Sequence, residues 1–215
     1  MGRLLGLPLR AAPRSGWRPG RPVRRALIEE TVELGSLRLS LLRPPSAEEL
    51  IDESAFDAEE FLPYWAELWP SGVALARAVA ARDVAGLRVL ELGCGLGLPS
   101  LAAALGGADV LATDWAEDAV ELLRRNGERN GAVLRVERIR WDAPEPLLRE
   151  APWDLVLGAD LLYEARNAEQ LLALLPRLGG GELLLAEPGR PYARAFLERF
   201  AAEPAGDRLY RIRLP

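Results

Sequence analysis

The 215 residues contain no histidine and no lysine, so each of the 27 basic residues is an arginine. Without an imidazole, the chain has no histidine general base, no Ser-His-Asp or Cys-His catalytic pair and no histidine-ligated metal. These absences exclude most hydrolase and zinc chemistry. We therefore expect no metal site.

Cysteine is nearly absent as well: Cys94 is the single example, so these residues cannot form an internal disulfide. No apolar run approaches the ~20 residues that span a bilayer. Both features favour a cytoplasmic protein without membrane contact, and organelle (mitochondrial) targeting would apply only to a eukaryotic source. The length and the hydrophobic content of 49% predict one globular domain.

Acidic residues are missing from the amino-terminal segment. Residues 1–28 carry seven arginines and no acid, which gives this segment a charge of +7 against −12 for the rest of the chain. Its four prolines argue against a continuous helix. Three interpretations stay open: a disordered basic arm, an organelle-targeting peptide, or coding sequence upstream of the true start. We favour the arm and assign the folded domain to residues 29–215.

Glycine, in contrast, is concentrated where a short apolar strand ends. Glu91 lies in this strand, and Gly93, Gly95 and Gly97 follow it at alternate positions. A backbone without Cβ atoms can turn tightly and leave room for a ligand, and the helix predicted at residues 99–105 offers its unpaired N–H groups to the same pocket. The pattern predicts a nucleotide-binding turn, with a spacing that differs from the G-x-G-x-x-G of dinucleotide sites.

An acid ends the next predicted strand, at residues 110–113. Asp114 follows the glycine turn by about 20 residues, where a carboxylate can accept hydrogen bonds from both ribose hydroxyls. The alternative role is a helix N-cap, because a helix is predicted at residues 117–129. We predict that Asp114 binds the ribose, with Trp115 beside it at the cofactor.

Hydrophobic periodicity divides the rest of the chain into strands and helices. A hairpin is predicted at residues 29–42, with its turn at the glycine of residues 35–36. The third strand of the sheet alternates apolar and charged residues, as an edge strand does, whereas the fourth is apolar throughout and therefore central. The other predicted elements are helices at residues 46–54, 73–82, 167–178 and 192–202, and strands at residues 133–139, 153–158, 179–187 and 209–214.

Several motifs resemble one family. The E-x-G-x-G-x-G form of residues 91–97 resembles motif I of class I S-adenosylmethionine-dependent methyltransferases. The run P-Y-W-A-x-x-W-P-x-G at residues 63–72 is similar to the segment before motif I in the seven-β-strand protein methyltransferases related to the electron-transfer-flavoprotein β-subunit lysine methyltransferase. Asp160 and Tyr163 match the D-x-x-Y signature of that group, and the acid-Pro-Gly-Arg segment at residues 187–190 resembles it too.

The resemblance implies a fold and a cofactor. The fold is α/β and Rossmann-like, with a doubly wound, mostly parallel sheet, helices on both faces, and an N-terminal β-hairpin and helix before it. The cofactor is S-adenosyl-L-methionine, which Trp69 and Gly72 would contact. Trp141 and Asp142 would flank the adenine, because an indole can stack on the purine while the carboxylate accepts a hydrogen bond from the amine. The alternatives are a core aromatic for Trp69 and a partly buried surface residue for Trp141.

The predicted catalytic residues are Asp160 and Tyr163. They follow the fourth strand, and ligands in open α/β sheets bind beyond the carboxyl ends of the strands, so Asp160 also lies at the cofactor edge. A carboxylate with a phenol can orient an amine and disperse its developing positive charge without histidine. The alternative for Asp160 is a helix cap.

We therefore expect an S-adenosylmethionine-dependent methyltransferase that acts on a lysine of a protein. The resemblance implies the electron-transfer flavoprotein β-subunit or a ribosomal or translation protein as partner, and the acidic body suits a cationic partner better than nucleic acid. Two alternatives stay open: a small-molecule N- or O-methyltransferase, and a non-catalytic cofactor-binding partner subunit.

The carboxyl end departs from the family. Its sheet usually ends in two antiparallel strands, and only about a dozen residues follow Ala202. We therefore expect one of these strands to be missing or reduced.

Overall fold

The computed structural model describes residues 26–50 and 63–215, which contain two separate sheets. An antiparallel hairpin comes first, and a seven-stranded sheet follows it. The strands are β1 (Ile28–Leu34), β2 (Leu37–Arg43), β3 (Arg88–Leu92), β4 (Asp109–Asp114), β5 (Arg135–Arg138), β6 (Leu155–Ala159), β7 (Glu182–Ala186), β8 (Glu203–Gly206) and β9 (Leu209–Arg213).

The large sheet has the strand order β5-β4-β3-β6-β7-β9-β8. β3 to β7 pair in parallel, while β9 pairs antiparallel with both β7 and β8. The apolar β6 is the middle strand and the alternating β5 lies at an edge, as their sequences predict. From β3 the chain adds β4 and β5 on one side, and it then returns to add β6 and β7 on the other side. This change of direction between β3 and β6 opens a crevice at the carboxyl ends of these strands.

Six α-helices of the described residues cover the two faces of this sheet. They are α1 (Pro70–Ala80), α2 (Leu98–Leu105), α3 (Glu117–Asn130), α4 (Glu145–Glu150), α5 (Ala165–Leu174) and α6 (Ala193–Arg199). Apolar residues of α1, α2, α3 and the hairpin form one buried cluster, and those of α4, α5 and α6 form a second. This confirms the predicted doubly wound fold. Across the described residues, the structure has no helix with the length and apolarity of a membrane span.

Two asparagines of α3 attach the hairpin to the domain. Asn126 accepts from the Leu42 N–H (2.7 Å) and donates to the Leu42 carbonyl (3.0 Å), and Asn130 makes the same pair of bonds with Ser40 (2.8 Å each). Because the two asparagines are four residues apart on one helix face, they match alternate residues of β2. Their amides thus take the place of a neighbouring strand.

The structure corrects several predicted elements. Both carboxyl-terminal strands are present, so neither is missing, and β8 is the reduced one of the expected pair, with four residues and an irregular register. α4 was not predicted, because its six residues contain a proline and carry too little periodicity. α1 begins three residues earlier than predicted, since Pro70 suits a first helical position.

Two predictions fall largely outside the described residues. The basic arm, residues 1–28, is described only in its last three residues, and Ile28 already begins β1. The helix predicted at residues 46–54 is described up to Leu50, where a short 3-10 helix spans Glu48–Leu50. Residues 51–54 lie outside the described part.

We expect the substitution Asn126→Ala to lower the free energy of unfolding by about 1–3 kcal/mol, because it leaves the N–H and carbonyl of Leu42 without their partners. Urea unfolding measures this value. Glu128→Ala is the control, since Glu128 is exposed on the same helix. Equal effects of the two substitutions would contradict the role assigned to Asn126.

Candidate active site

The glycine turn lies between β3 and α2 at the crevice. Gly93, Gly95 and Gly97 all have positive φ, at +63°, +50° and +73°. A Cβ on Gly95 would stand 3.2 Å from the Trp65 carbonyl oxygen, and one on Gly97 would collide with Leu123 at 2.2 Å. Only glycine therefore fits this turn without displacing its neighbours.

Asp114 joins the turn to the end of β4. Its Oδ2 accepts from the Gly95 N–H and its Oδ1 from the Ala116 N–H, both at 2.9 Å. The N-cap residue of α3 is Ala116, so Asp114 does not serve as the cap. Burial raises the pKa of Asp114, against the effect of these backbone bonds. Each oxygen keeps acceptor capacity for a hydroxyl group.

Glu91 lies beneath the turn and is 2% exposed. Its Oε2 accepts from the Ser100 N–H (2.9 Å) and from the Ser100 hydroxyl in the first turn of α2. Burial raises the pKa of Glu91 to about 8, and the hydrogen bonds from Ser100 oppose this rise. Glu91 thus connects β3 to α2 below the crevice.

A cavity of about 360 Å³ occupies the crevice, a size typical of small-molecule sites. It brings together all twelve residues predicted for the site. Two of its lining residues, Tyr64 and Trp115, are exposed, so the cavity is open to solvent. The predicted residues that line it are Trp69, Gly72, Glu91, Gly93, Gly95, Gly97, Asp114, Trp115, Trp141, Asp142, Asp160 and Tyr163.

The aromatic segment before α1 forms one wall of the cavity. Trp69 is the N-cap residue of α1, and its indole N–H donates to the Tyr64 carbonyl (2.8 Å). Gly72 lies in the first turn of α1, with nothing within 4 Å of where a Cβ would be. A side chain at position 72 would therefore meet no neighbouring atom, so packing does not require glycine there.

Trp141 and Asp142 also line the cavity. The Trp141 ring would be 3.5 Å from a Cβ on Gly93, so it packs beside the glycine turn. Asp142 is exposed and forms a bidentate ion pair with Arg140 (2.9 and 2.7 Å), which lowers its pKa. The carboxylate is therefore already paired in this structure.

Asp160 and Tyr163 follow β6. Asp160 is 8% exposed and has a φ of +55°, and its N–H donates to the Ala186 carbonyl of β7 (2.8 Å). It does not cap α5, whose N-cap residue is Glu164. The ring of Tyr163 meets that of Tyr64 edge-on, with centroids 5.2 Å apart, and burial raises the pKa of its phenol.

Arg190 is the site residue that the sequence reasoning missed. Its Nε and a terminal nitrogen donate to the two carboxylate oxygens of Asp160, at 2.6 and 2.8 Å. The signal was available, because Arg190 follows β7, the neighbour of β6, and the carboxyl ends of parallel strands meet at one edge. An arginine there faces the acid of the adjacent strand.

The strand order, the glycine turn after β3 and the acid that ends β4 define a class I S-adenosylmethionine-dependent methyltransferase. A family model described as lysine methyltransferase matches residues 64–199, which is more than half of the chain, and the protein therefore belongs to this family. The class confirms the predicted cofactor, S-adenosyl-L-methionine.

Two sequence relatives and one solved structure describe the similarity further. The chain is 39% identical over 135 residues to the electron transfer flavoprotein beta subunit lysine methyltransferase of Xenopus laevis, covering 60% of this chain and 53% of that protein. It is 34% identical over 127 residues to the protein N-lysine methyltransferase METTL21A of Danio rerio, covering 56% and 58%. The chain thus spans about half the length of these relatives.

The solved structure is the T. thermophilus 16S rRNA N2 G1207 methyltransferase (RsmC) with AdoMet and guanosine. It superimposes with a TM-score of 0.65 at 19% identity, over 91% of this chain and 52% of that one. At this identity the likeness concerns the fold alone.

The residues present fit S-adenosylmethionine. The three glycines of the turn line the cavity without side chains, and buried Asp114, which also lines it, keeps acceptor capacity. Half-buried Trp141 offers an aromatic face beside the turn.

We expect Gly95→Ala to weaken the binding of S-adenosylhomocysteine at least about tenfold, since a side chain at positive φ costs roughly 1–2 kcal/mol and its Cβ would press on the Trp65 carbonyl. Isothermal titration calorimetry measures the affinity. Gly131→Ala is the matched control: it also has a positive φ, but open space surrounds it. Equal losses in both variants would refute a specific role for Gly95.

The raised pKa of Glu91 predicts a pH dependence of stability. The folded protein holds a proton on Glu91 up to about pH 8, while the unfolded chain releases it near 4.5, so stability falls as pH rises between these values. We expect Glu91→Gln to flatten the decline between pH 5 and 8 by a few kcal/mol, since one pKa unit corresponds to about 1.4 kcal/mol. Urea unfolding at several pH values measures the slope.

The control for this slope is Glu150→Gln. The ion pair with Arg135 lowers the pKa of Glu150, so its titration lies below the window. If the unfolding free energy of Glu91→Gln fell with pH as steeply as that of the unsubstituted protein, the prediction would be contradicted.

Proposed function

We propose that this protein transfers a methyl group from S-adenosylmethionine to the side-chain amine of a lysine in a protein substrate. One observation carries the proposal: an acid and a phenol, Asp160 and Tyr163, line the same cavity as the glycine turn. The relatives named above as lysine methyltransferases support the choice of acceptor.

In this proposal the cofactor is held by residues at the ends of four strands, β3 to β6, and at the start of α1. Glu91, Gly93, Gly95 and Gly97 form its floor, and Asp114 accepts the ribose hydroxyls. The other proposed contacts are Trp69, Gly72, Trp115, Trp141, Asp142 and Asp160. When bound, the cofactor supplies an activated methyl group on a sulfonium.

The chain's own residues align the acceptor. The Asp160 carboxylate accepts hydrogen bonds from the amine, and the Tyr163 phenol bounds the same space, so the nitrogen lone pair can point along the bond that breaks. With the cofactor bound, the amine nitrogen would take the methyl group and the positive charge of the sulfonium, and the electron pair of the broken carbon–sulfur bond would stay on sulfur. Asp160 then lies close to this charge and stabilises it.

The proposed substrate is a protein because the cavity opens at the surface. Tyr64 and Trp115, each more than a third exposed, line its mouth, which suits a side chain entering from a partner. Candidates are the electron-transfer flavoprotein β-subunit and a ribosomal or translation protein. The acidic chain, with a net charge of −5, favours a cationic partner.

The test is incubation of the purified protein with methyl-tritiated S-adenosylmethionine and a lysate of its own organism. Protein, RNA and small-molecule fractions are then counted separately. We expect a discrete labelled protein band, and the chain's lack of lysine keeps lysine automethylation out of that signal.

We expect Asp160→Asn to reduce the labelling about a hundredfold, the scale of a misaligned acceptor. Tyr163→Phe should reduce it about tenfold through the loss of one hydrogen-bonding group. The matched control is Asp109→Asn, an exposed acid at the far end of β4. Label confined to small molecules would instead favour a small-molecule methyltransferase. Cofactor binding without product in any fraction would favour a non-catalytic partner subunit.

A further inference from the structure

The part of the cavity at Asp160, where the acceptor amine is proposed to bind, already contains a cation. The Arg190 guanidinium engages both oxygens of Asp160 and lies 5.7 Å from the centre of the Trp69 ring. The Asp160 side chain is 7% exposed and that of Arg190 35%. Arg190 therefore lies between a buried carboxylate and solvent.

Aromatic rings complete the surroundings of this ion pair. Tyr64 contacts Trp69 and Tyr163, with ring centroids 6.2 and 5.2 Å apart. We call Asp160, Trp69, Tyr64 and Tyr163 the cation pocket. A carboxylate next to aromatic faces is a suitable environment for an ammonium as well as for a guanidinium.

We propose that Arg190 is a built-in competitor of the substrate: it occupies the cation pocket in the free protein, and the substrate's ammonium group must displace its guanidinium from Asp160. The inference rests on the proposed function, because it concerns entry of an amine into the same site. It adds a residue that sets which groups can enter.

The loop that carries Arg190 restricts this exchange to the side chain. Oε1 of Glu187 accepts from the N–H groups of Gly189 (2.9 Å) and Arg190 (2.6 Å), and Gly189 has a φ of +103°. The backbone is therefore fixed after β7. The guanidinium, one third exposed, has solvent to move into.

The charges around Arg190 favour a second cation. Glu187 is 2% exposed, and its Oε2 has no hydrogen-bond partner among the described residues. Burial, together with nearby Asp160, raises the pKa of Glu187. Two carboxylates thus lie near one guanidinium, and an incoming ammonium reduces the excess of negative charge.

Selectivity follows from this arrangement. A neutral group that displaced Arg190 would leave a buried carboxylate without a counter-charge, which is unfavourable, whereas a cation replaces one ion pair by another. The acceptor therefore enters as an ammonium group, and after the exchange it releases its proton to solvent, which frees the nitrogen lone pair. Neutral alcohols and amides are excluded at the entry step.

A titration that needs no turnover tests the exchange. The full chain, labelled with ¹⁵N and saturated with S-adenosylhomocysteine, is titrated with n-butylammonium chloride, with sodium chloride at equal ionic strength as control. The Arg190 Nε–H resonance is assigned by its absence in Arg190→Met. We expect a saturable shift of this resonance with butylammonium alone, and loss of the shift in Asp160→Asn. A resonance that does not move would overturn the inference.

A second measurement separates a competitor from a residue that merely holds Asp160 in place. If Arg190 leaves the pocket in about one molecule in ten, its removal strengthens cation binding about tenfold. We expect Arg190→Met to lower the dissociation constant of butylammonium by this factor, followed through the Trp69 indole N–H resonance. Arg194→Met is the control, since that side chain is 90% exposed and pairs with Glu198.

Unchanged or weaker butylammonium binding in Arg190→Met would overturn the competitor role. The lysate experiment reports separately on the proposed function. A labelled protein with an immobile Arg190 resonance would leave lysine methylation standing without the competitor. A shifting Arg190 resonance with label only in small molecules would leave the competitor role standing and rule out lysine methylation.

Discussion

Two hydrogen bonds between the glycine turn and β4 are the interaction on which the site depends. The Cys94 N–H donates to the Thr113 carbonyl and the Gly95 N–H to the Asp114 carboxylate, both at 2.9 Å. They extend the parallel pairing of β3 and β4 beyond the last residue of β3. Because of them, the turn and the acid form one unit, so the floor and the side of the cavity cannot shift independently.

The backbone pairing of β3 with its neighbouring strands positions the other site residues, Asp160 and Arg190. β3 pairs in register with β4 and β6, and β6 pairs with β7, so the carboxyl ends of all four strands reach the same edge. Asp160 and Arg190 come from the loops that follow β6 and β7, and they meet there although thirty residues separate them in sequence. The fold thus assembles the site from short loops on a rigid sheet.

Much of this could be predicted from the sequence, because its strongest signals are local. A buried strand followed by alternating glycines needs no distant partner to be recognised, and the acid that ends β4 follows from the same strand-turn-helix unit. The unpredicted features depend on pairs distant in sequence. The Arg190 and Asp160 ion pair and the amides that bind β2 each require knowledge of which surface the chain meets after folding.

The hairpin illustrates a consequence of such a distant pair. A two-stranded ribbon is marginal by itself, and its free edge offers unpaired N–H and carbonyl groups to any other extended chain. Asn126 and Asn130 occupy those groups on β2 with side chains of a helix. The protein thereby satisfies the backbone groups of an exposed strand edge without adding a strand. We infer that the two amides protect the hairpin from self-association as much as they attach it to the domain.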